Sequence, residues 1–175
     1  MKHLLVTLFA CASLVYTHAE EKETIRISTD NTDLVLQVGE NGRLYQTYLG
    51  EKLLHQQDLQ NFRWDVHAGA DGSVSKRGWE VYAGSGNEDY FEPAIAITHN
   101  DGNTSTILYY VSSSSKPVEG GTETVINLRD AQYLVDVTLY YVAYPKENVI
   151  KTWSEIKHQE KKPVILSTYA SAMLY

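Results

Sequence analysis

From Tyr133 to His158 the chain alternates in apolar character with a period of two, and this pattern narrows what it can fold into more than any other feature. Tyr133, Val135, Val137, Leu139 and Tyr141 fall on one face of an extended segment, with Leu134, Asp136, Thr138, Tyr140 and Val142 on the other. Pro145-Lys146-Glu147-Asn148 breaks the run. Val149, Lys151, Trp153, Glu155 and Lys157 then alternate with Ile150, Thr152, Ser154, Ile156 and His158. Successive side chains of a strand point to opposite faces of a sheet, so this pattern predicts two strands in sequence. A helical period fails everywhere except Leu53 to Leu59, which allows one short helix at most.

The rest of the chain carries the same signal in shorter pieces. Ile25 and Ile27 alternate, as do Leu34, Leu36 and Val38. Gly39-Glu40-Asn41-Gly42 supplies an Asn-Gly hairpin turn, and Leu44 to Leu49 returns from it. Pro93 to Thr98 and Thr104 to Val111 read as a second hairpin across Asn100-Asp101-Gly102-Asn103. Lys161-Lys162-Pro163 turns into a strand over Val164 to Tyr169. Three segments lack strand character: Gly69 to Gly78, the acidic loop Gly84 to Glu92, and the Ser- and Gly-rich stretch Ser112 to Gly121. Short strands joined by turn residues predict an all-β, antiparallel β-sandwich in one domain.

The first residues read as a secretory signal. Lys2 is followed by an apolar run, Leu4 to Tyr16, too short to span a bilayer, and Ala19 ends it on a small residue. Residues 1–19 are therefore expected to be removed, leaving a domain over 20–175 exported to a periplasm or cell surface, with no transmembrane segment. Leu8-Phe9-Ala10-Cys11 resembles a lipid-attachment box, but bulky Phe9 and the short run before it favour a plain signal over lipoprotein anchoring at Cys11. Cys11 is the one cysteine, so the exported part has no disulfide and no thiolate metal site. A formal net charge of −7 argues against nucleic acid and anionic membrane surfaces as partners.

Catalytic devices are weak in these residues. Gly84-Ser85-Gly86 lacks the helix N-terminus of a phosphate cradle, and Glu88 and Asp89 directly after it would repel phosphate. Glu80, Glu88, Asp89 and Glu92 cluster as a carboxylate pair for glycoside hydrolysis would, yet a solvated loop gives no burial to raise one pKa above another. His55, His67, His99 and His158 show no zinc-ligand spacing, and no metal or other cofactor is expected. His99, just before the Asp101-Gly102 turn, reads as a strand-end residue bonded to the turn backbone. A Ser–His–Asp set cannot be told from composition, although no strand–turn–helix nucleophile elbow is present. The positive signal is for sugar: Trp64, Trp79, Tyr82, Tyr90, Phe91 and Trp153 have rings that stack on pyranose faces, beside acids that take hydroxyl hydrogen bonds. Against it, large aromatics are mostly buried, and two of the three tryptophans would ordinarily be core.

Several separated motifs resemble one family. Glu80-Val81-Tyr82-Ala83-Gly84-Ser85-Gly86, Tyr90-Phe91-Glu92-Pro93-Ala94-Ile95, Thr98-His99-Asn100-Asp101-Gly102, Tyr133 to Tyr141 and Trp153-Ser154-Glu155-Ile156-Lys157-His158 are similar, in order, to the N-terminal domain of glycoside hydrolase family 36 α-galactosidases. The composition resembles versions from Bacteroides-type gut bacteria. The resemblance implies a β-supersandwich packed on a catalytic (β/α)8 barrel that holds both catalytic aspartates and most of the galactose pocket. No catalytic residue is therefore expected in this chain; Arg63-Trp64-Asp65 is only a superficial echo of the strand end that carries the family nucleophile.

In relatives, loops of this domain shape the active-site rim and reach a neighbouring subunit, which implies substrate-rim candidates Arg77, Trp79, Glu80, Tyr82, Asp89, Tyr90 and Glu92. The chain departs from the family at Phe91, where many members have Arg before the Glu-Pro. The implied partners are the barrel of the same polypeptide, an α-galactoside oligosaccharide and further copies in a homo-oligomer. Tyr169-Ala170-Ser171-Ala172-Met173-Leu174-Tyr175 ends without a polar tail, so the expectation is a sandwich incomplete at its C-terminus, with an exposed edge and poor solubility. Two readings from other classes stand beside this one: a free-standing carbohydrate-binding or adhesion module, and a small hydrolase using Asp89 and Glu92.

Overall fold

The computed structural model describes residues 23–61, 79–86 and 92–174. The expected signal over 1–19 and the Gly69–Gly78 reading lie outside the described residues, as do Trp64 and His67. In chain order the elements are β1 (Thr24–Ser28), β2 (Thr32–Val38), β3 (Leu44–Glu51), α1 (Asp58–Asn61), β4 (Trp79–Glu80), β5 (Ile95–Thr98), β6 (Leu108–Val118), β7 (Gly121–Asp130), β8 (Val135–Tyr144), β9 (Val149–His158) and β10 (Ile165–Tyr169). They form two four-stranded sheets, β1-β2-β3-β4 and β6-β7-β8-β9, and a two-stranded pair, β10-β5. Among the described residues every pairing between these strands is antiparallel. The predicted sandwich is the observed fold.

The turns explain the topology locally. Between β2 and β3, Gly42 takes φ 75°, which glycine reaches without a Cβ clash, and Gly39 N donates to Arg43 O at 2.8 Å. Between β7 and β8, the buried Asp130 carboxylate gathers the turn: Oδ1 accepts from Gln132 N at 2.8 Å and Tyr133 N at 2.9 Å. Its other oxygen accepts from Ile107 N at 2.6 Å, fixing the entry to β6. One aspartate thus joins both ends of the β6–β7 hairpin.

The core lies between the two large sheets and takes the inward face of each. Val135, Val137, Leu139 and Tyr141 from β8 meet Ile25, Ile27, Leu34 and Leu36 from β1 and β2, with Ile95, Ile97, Leu108 and Ile126 completing the cluster. Burying each of these side chains contributes about 1.5–3 kcal/mol. The other face of β2 is covered by the chain leading into α1. Leu53 N donates to Asp33 Oδ2 at 2.7 Å, Arg26 Nη2 donates to the same oxygen at 2.5 Å, and Gln37 Nε2 donates to Leu59 O at 3.2 Å.

Two expectations are corrected. The arms of the predicted second hairpin do not pair with each other, although its turn forms: His99 N donates to Asn103 O and Gly102 N to His99 O. β5 pairs with β10 and β6 pairs with β7, because the chain between Thr98 and Leu108 crosses from one sheet region to another. Ser112–Val118 is not a loop but most of β6, in continuous register from Ser112↔Asn127 to Val118↔Gly121. Its serines lack apolar periodicity because β6 is an edge strand whose residues are largely exposed; pairing with β7, not burial, holds it extended.

Candidate functional site

The Glu80–Gly86 segment meets the chain that follows the Asp101 turn. β4 adds to β3 through Tyr45↔Glu80 and Gln46↔Trp79, and Val81 to Ala83 then run into the core. Gly84 bridges Ile95, and Ser85 N donates to Ile95 O at 2.9 Å. Thr106 N donates to Ser85 O at 3.0 Å, and Ser85 Oγ donates to Thr104 O at 2.6 Å. The backbones here are so close that a Cβ on Gly84 would lie 2.0 Å from Thr106 O. The Gly84-Ser85-Gly86 motif therefore serves close backbone approach rather than anion binding.

His99 sits beneath this contact, 3% exposed. Its Nδ1 lies 2.8 Å from Glu160 Oε1, and its Nε2 lies 3.1 Å from both Ser105 O and Thr106 Oγ1. Tyr133 stacks on the ring at 3.6 Å, tilted by 11°, and donates its hydroxyl to Asp101 Oδ2 at 3.2 Å. Asn100 donates to Glu160 Oε2 from its backbone N at 3.0 Å and from Nδ2 at 2.6 Å. Burial alone would raise the Glu160 pKa, but these donors and the His99 charge outweigh it and hold the carboxyl below its ordinary value. His99 is, as its place before the turn predicts, a strand-end residue tied to the turn backbone. Its carboxylate partner, Glu160, was missed, because Gln159-Glu160-Lys161-Lys162 reads as an ordinary solvated turn.

Thr106, His99 and Glu160 line up as a hydroxyl, an imidazole and a carboxylate. Two observations remove them from nucleophilic chemistry. Thr106 is 0% exposed, so no substrate carbonyl reaches its oxygen. Ser105 O also faces Nε2, and a carbonyl only accepts, so that nitrogen carries a proton for it instead of serving purely as a base.

The rim candidates separate into three groups. Arg77, Asp89 and Tyr90 lie outside the described residues. Trp79 contributes backbone to β4, and Glu92 is exposed at the return of the loop. Glu80 and Tyr82 are turned inward, at 7% and 1% exposure. The Glu80 carboxylate receives both Nε and Nη2 of Arg43, a two-pronged pair that ties β4 to the β2–β3 hairpin. The Tyr82 hydroxyl donates to Ala170 O at 2.7 Å, beside Ser154 Oγ, which donates to the same carbonyl at 2.9 Å. Burial pushes the Tyr82 hydroxyl pKa up against these bonds, so it stays a phenol. Both residues thus hold the domain together, and neither presents its polar end to solvent. Arg43 carried no sequence signal beyond its place after an Asn-Gly turn.

Among the described residues no three His, Cys, Asp or Glu side chains are placed to hold a metal ion, and no helix is long and apolar enough to cross a membrane. The Trp153 ring stacks on Tyr140 at 4.8 Å, and Lys151 Nζ lies 5.2 Å from its centre. Neighbours on its own sheet therefore occupy the ring, which explains it without a sugar.

One surface remains unfilled. Leu166 pairs with Ile97 and Tyr169 with Ile95, so they share the face of two fully buried core residues. Yet Leu166 is 42% and Tyr169 71% exposed, and Leu174 is exposed beyond them. The apolar layer continues past β5 onto β10, where no strand among the described residues covers it.

The profile of the glycosyl hydrolase family 36 N-terminal domain matches residues 42–175. No curated protein matches. Among solved structures, the α-galactosidase from Lactobacillus brevis is similar with a TM-score of 0.71 at 20% identity, over 87% of this chain and 24% of that one. The α-galactosidase AgaA from Geobacillus stearothermophilus gives 0.72 at 23% identity, over 86% and 24% of the two chains. AgaB from the same organism gives 0.72 at 21%, over 89% and 24%. These likenesses show a shared fold, and the chain spans only about a quarter of the length of those structures. With well over half its residues matched by that profile, the chain belongs to the family of glycosyl hydrolase family 36 N-terminal domains.

Proposed function

We propose that this chain is the N-terminal, non-catalytic β-sandwich of a secreted α-galactosidase of the Bacteroides type, which supports a (β/α)8 barrel of the same polypeptide and walls one side of its substrate entrance. The observation that carries the reading is the family match over residues 42–175. The solved relatives devote 24% of their length to the matched part, which leaves room in such chains for a catalytic domain. The uncovered apolar layer at Leu166 and Tyr169 supplies the surface on which the barrel would dock. Export follows from the leader over residues 1–19, with a periplasmic or cell-surface destination. The barrel would bring the α-galactoside oligosaccharide, and Arg77, Trp79, Asp89, Tyr90 and Glu92 remain the candidates for its rim. Homo-oligomerisation through this domain belongs to the same reading.

Assaying the 20–175 protein on an aryl α-galactoside is the direct test. Turnover above the buffer rate would sink the non-catalytic assignment. Titration with raffinose tests the rival binding-module reading: a support domain gives no saturable signal, whereas an adhesion module does.

A further inference from the structure

We propose that His99 and Glu160 form an acid-released clasp that fixes the Gly84–Gly86 segment, where the acidic loop begins. Glu160 lies in the β9–β10 connection, far in sequence from the segment it would hold. Its side chain is 4% exposed and accepts three hydrogen bonds, from His99 Nδ1, Asn100 N and Asn100 Nδ2. A buried carboxylate with three donors is stable only while ionised, because a proton on it turns one acceptor site into a donor facing donors. From His99 the coupling runs through Nε2 to Ser105 O and Thr106 Oγ1. Residues 105 and 106 then press directly on the loop. A Cβ at Gly84 would meet Thr106 O, and one at Gly86 would lie 2.4 Å from Ser105 Oγ. A shift of the 104–106 backbone therefore has no slack to absorb it before it reaches Gly84 and Gly86.

The sign of the pH effect follows from Glu160. Its carboxyl is held below its ordinary value in the folded chain, so its contribution is present above the unfolded carboxyl pKa and is lost as pH falls through the folded one. The other acids near the clasp are Asp101, which reaches it through the Tyr133 hydroxyl, and Asp130, which acts on Tyr133 from the end of β7. Asp101 is also held below its ordinary value, first by the Asn103 backbone bond, so it reinforces the same direction. The consequence for a substrate entrance rests on the function proposed above; the clasp itself is read without any sugar or barrel.

Backbone amide exchange, followed by NMR from pH 7 to pH 3 and corrected for intrinsic rates, tests it. The amides of Thr106 and Asn100 should lose protection on acidification at least ~10-fold more than that of Leu139 in β8. Glu160→Gln keeps the side-chain shape but replaces one acceptor with a donor. It should leave Thr106 poorly protected at both pH values and flatten the profile. Parallel loss at Thr106 and Leu139, or a Glu160→Gln profile like that of the unaltered chain, would overturn the clasp. If Glu160→Gln does not fold, the unaltered profile decides alone. Neither outcome touches the galactosidase reading, which fails only in the assays above.

Discussion

In the β6–β9 sheet each strand pairs with its neighbour in sequence, whereas β10 reaches back past that whole sheet to pair with β5. The inner face of the first is closed by β1 and β2: Val135, Val137 and Leu139 are at most 1% exposed. That of the second is not, for Leu166 and Tyr169 share a face with buried Ile95 and Ile97 yet stand in solvent. The inner face of the β6–β9 meander is enclosed because a second sheet, through Ile25, Ile27, Leu34 and Leu36, packs against it. A strand recruited from far along the chain extends the core only as far as something else covers it. The β6–β9 sheet thus has an enclosed inner face, whereas the β5–β10 pair leaves apolar side chains exposed.

The largest expected effect tests that division directly. Leu139→Ala should destabilise the protein by about 2–5 kcal/mol in urea denaturation, since Leu139 is 1% exposed in a close-packed layer. Leu166→Ala, the same chemistry at 42% exposure, should lose less than about 1 kcal/mol. Equal losses would show that β10 is as enclosed as β8 and would remove the docking margin. In a longer polypeptide with the barrel in place, the Leu166 value should rise toward that of Leu139.

Next comes the contact between the loop base and the 104–106 backbone. Gly84→Ala puts a methyl 2.0 Å from Thr106 O, and a backbone oxygen cannot swing aside as a side chain can. Roughly 1–3 kcal/mol of destabilisation is expected by thermal or urea unfolding. A neutral result would mean that the strap between Ser85 and Thr106 is loose, and the clasp could not transmit through it.

Smaller again is Tyr82→Phe. It removes the O–H that donates to Ala170 O, but Ser154 Oγ still donates to that carbonyl at 2.9 Å. With the carbonyl still satisfied, a loss of about 0.5–1.5 kcal/mol is expected. The effect should also be local: the Ala170 amide, which donates to Ala94 O, should exchange faster while Leu139 is unchanged. Uniform loosening would mean that β10 unfolds only with the whole sandwich.

The same division governs what the sequence makes legible. β8 is readable because one face is buried, and β9 because one face is half-buried and the other largely exposed, so period-two alternation is written into both. β6 is not, because Ser112 to Ser115 owe their extended form to β7 across the ladder, a partner that local composition does not reveal. The Asp101-Gly102 turn is legible, yet the fate of its arms is not, since β5 finds β10 only after the β6–β9 sheet has intervened. At the candidate site, Glu80 reads as a loop acid because its neighbours are Gly-rich and acidic; β4 and Arg43 turn it inward. Glu160 is an extreme case: nothing local separates a buried clasp from a solvated Glu-Lys turn, and only the meeting of β9, β10 and the His99 turn makes the difference.

The least effect on stability, and the last test of the comparison, concerns the free edges. Among the described residues β6 and β10 each pair with only one strand, but β6 carries Lys116 and Pro117 while Ile165-Leu166-Ser167-Thr168-Tyr169 carries no charge. Lys116 pairs with Glu123 at 2.8 Å and is itself widely exposed, so solvent screens the pair and Lys116→Ala should leave the denaturation midpoint unmoved. Its expected role is to keep another strand from adding to the β6 edge, a role that appears in association rather than in folding. Light scattering of the concentrated protein should therefore increase for Lys116→Ala with no change in unfolding. Conversely, Leu166→Lys should lower self-association more than any β6 change raises it, because β10 is the edge without a guard. If β10 substitution leaves association unchanged while Lys116→Ala raises it, then β6 is the sticky edge, and the contrast between the two regions runs the other way.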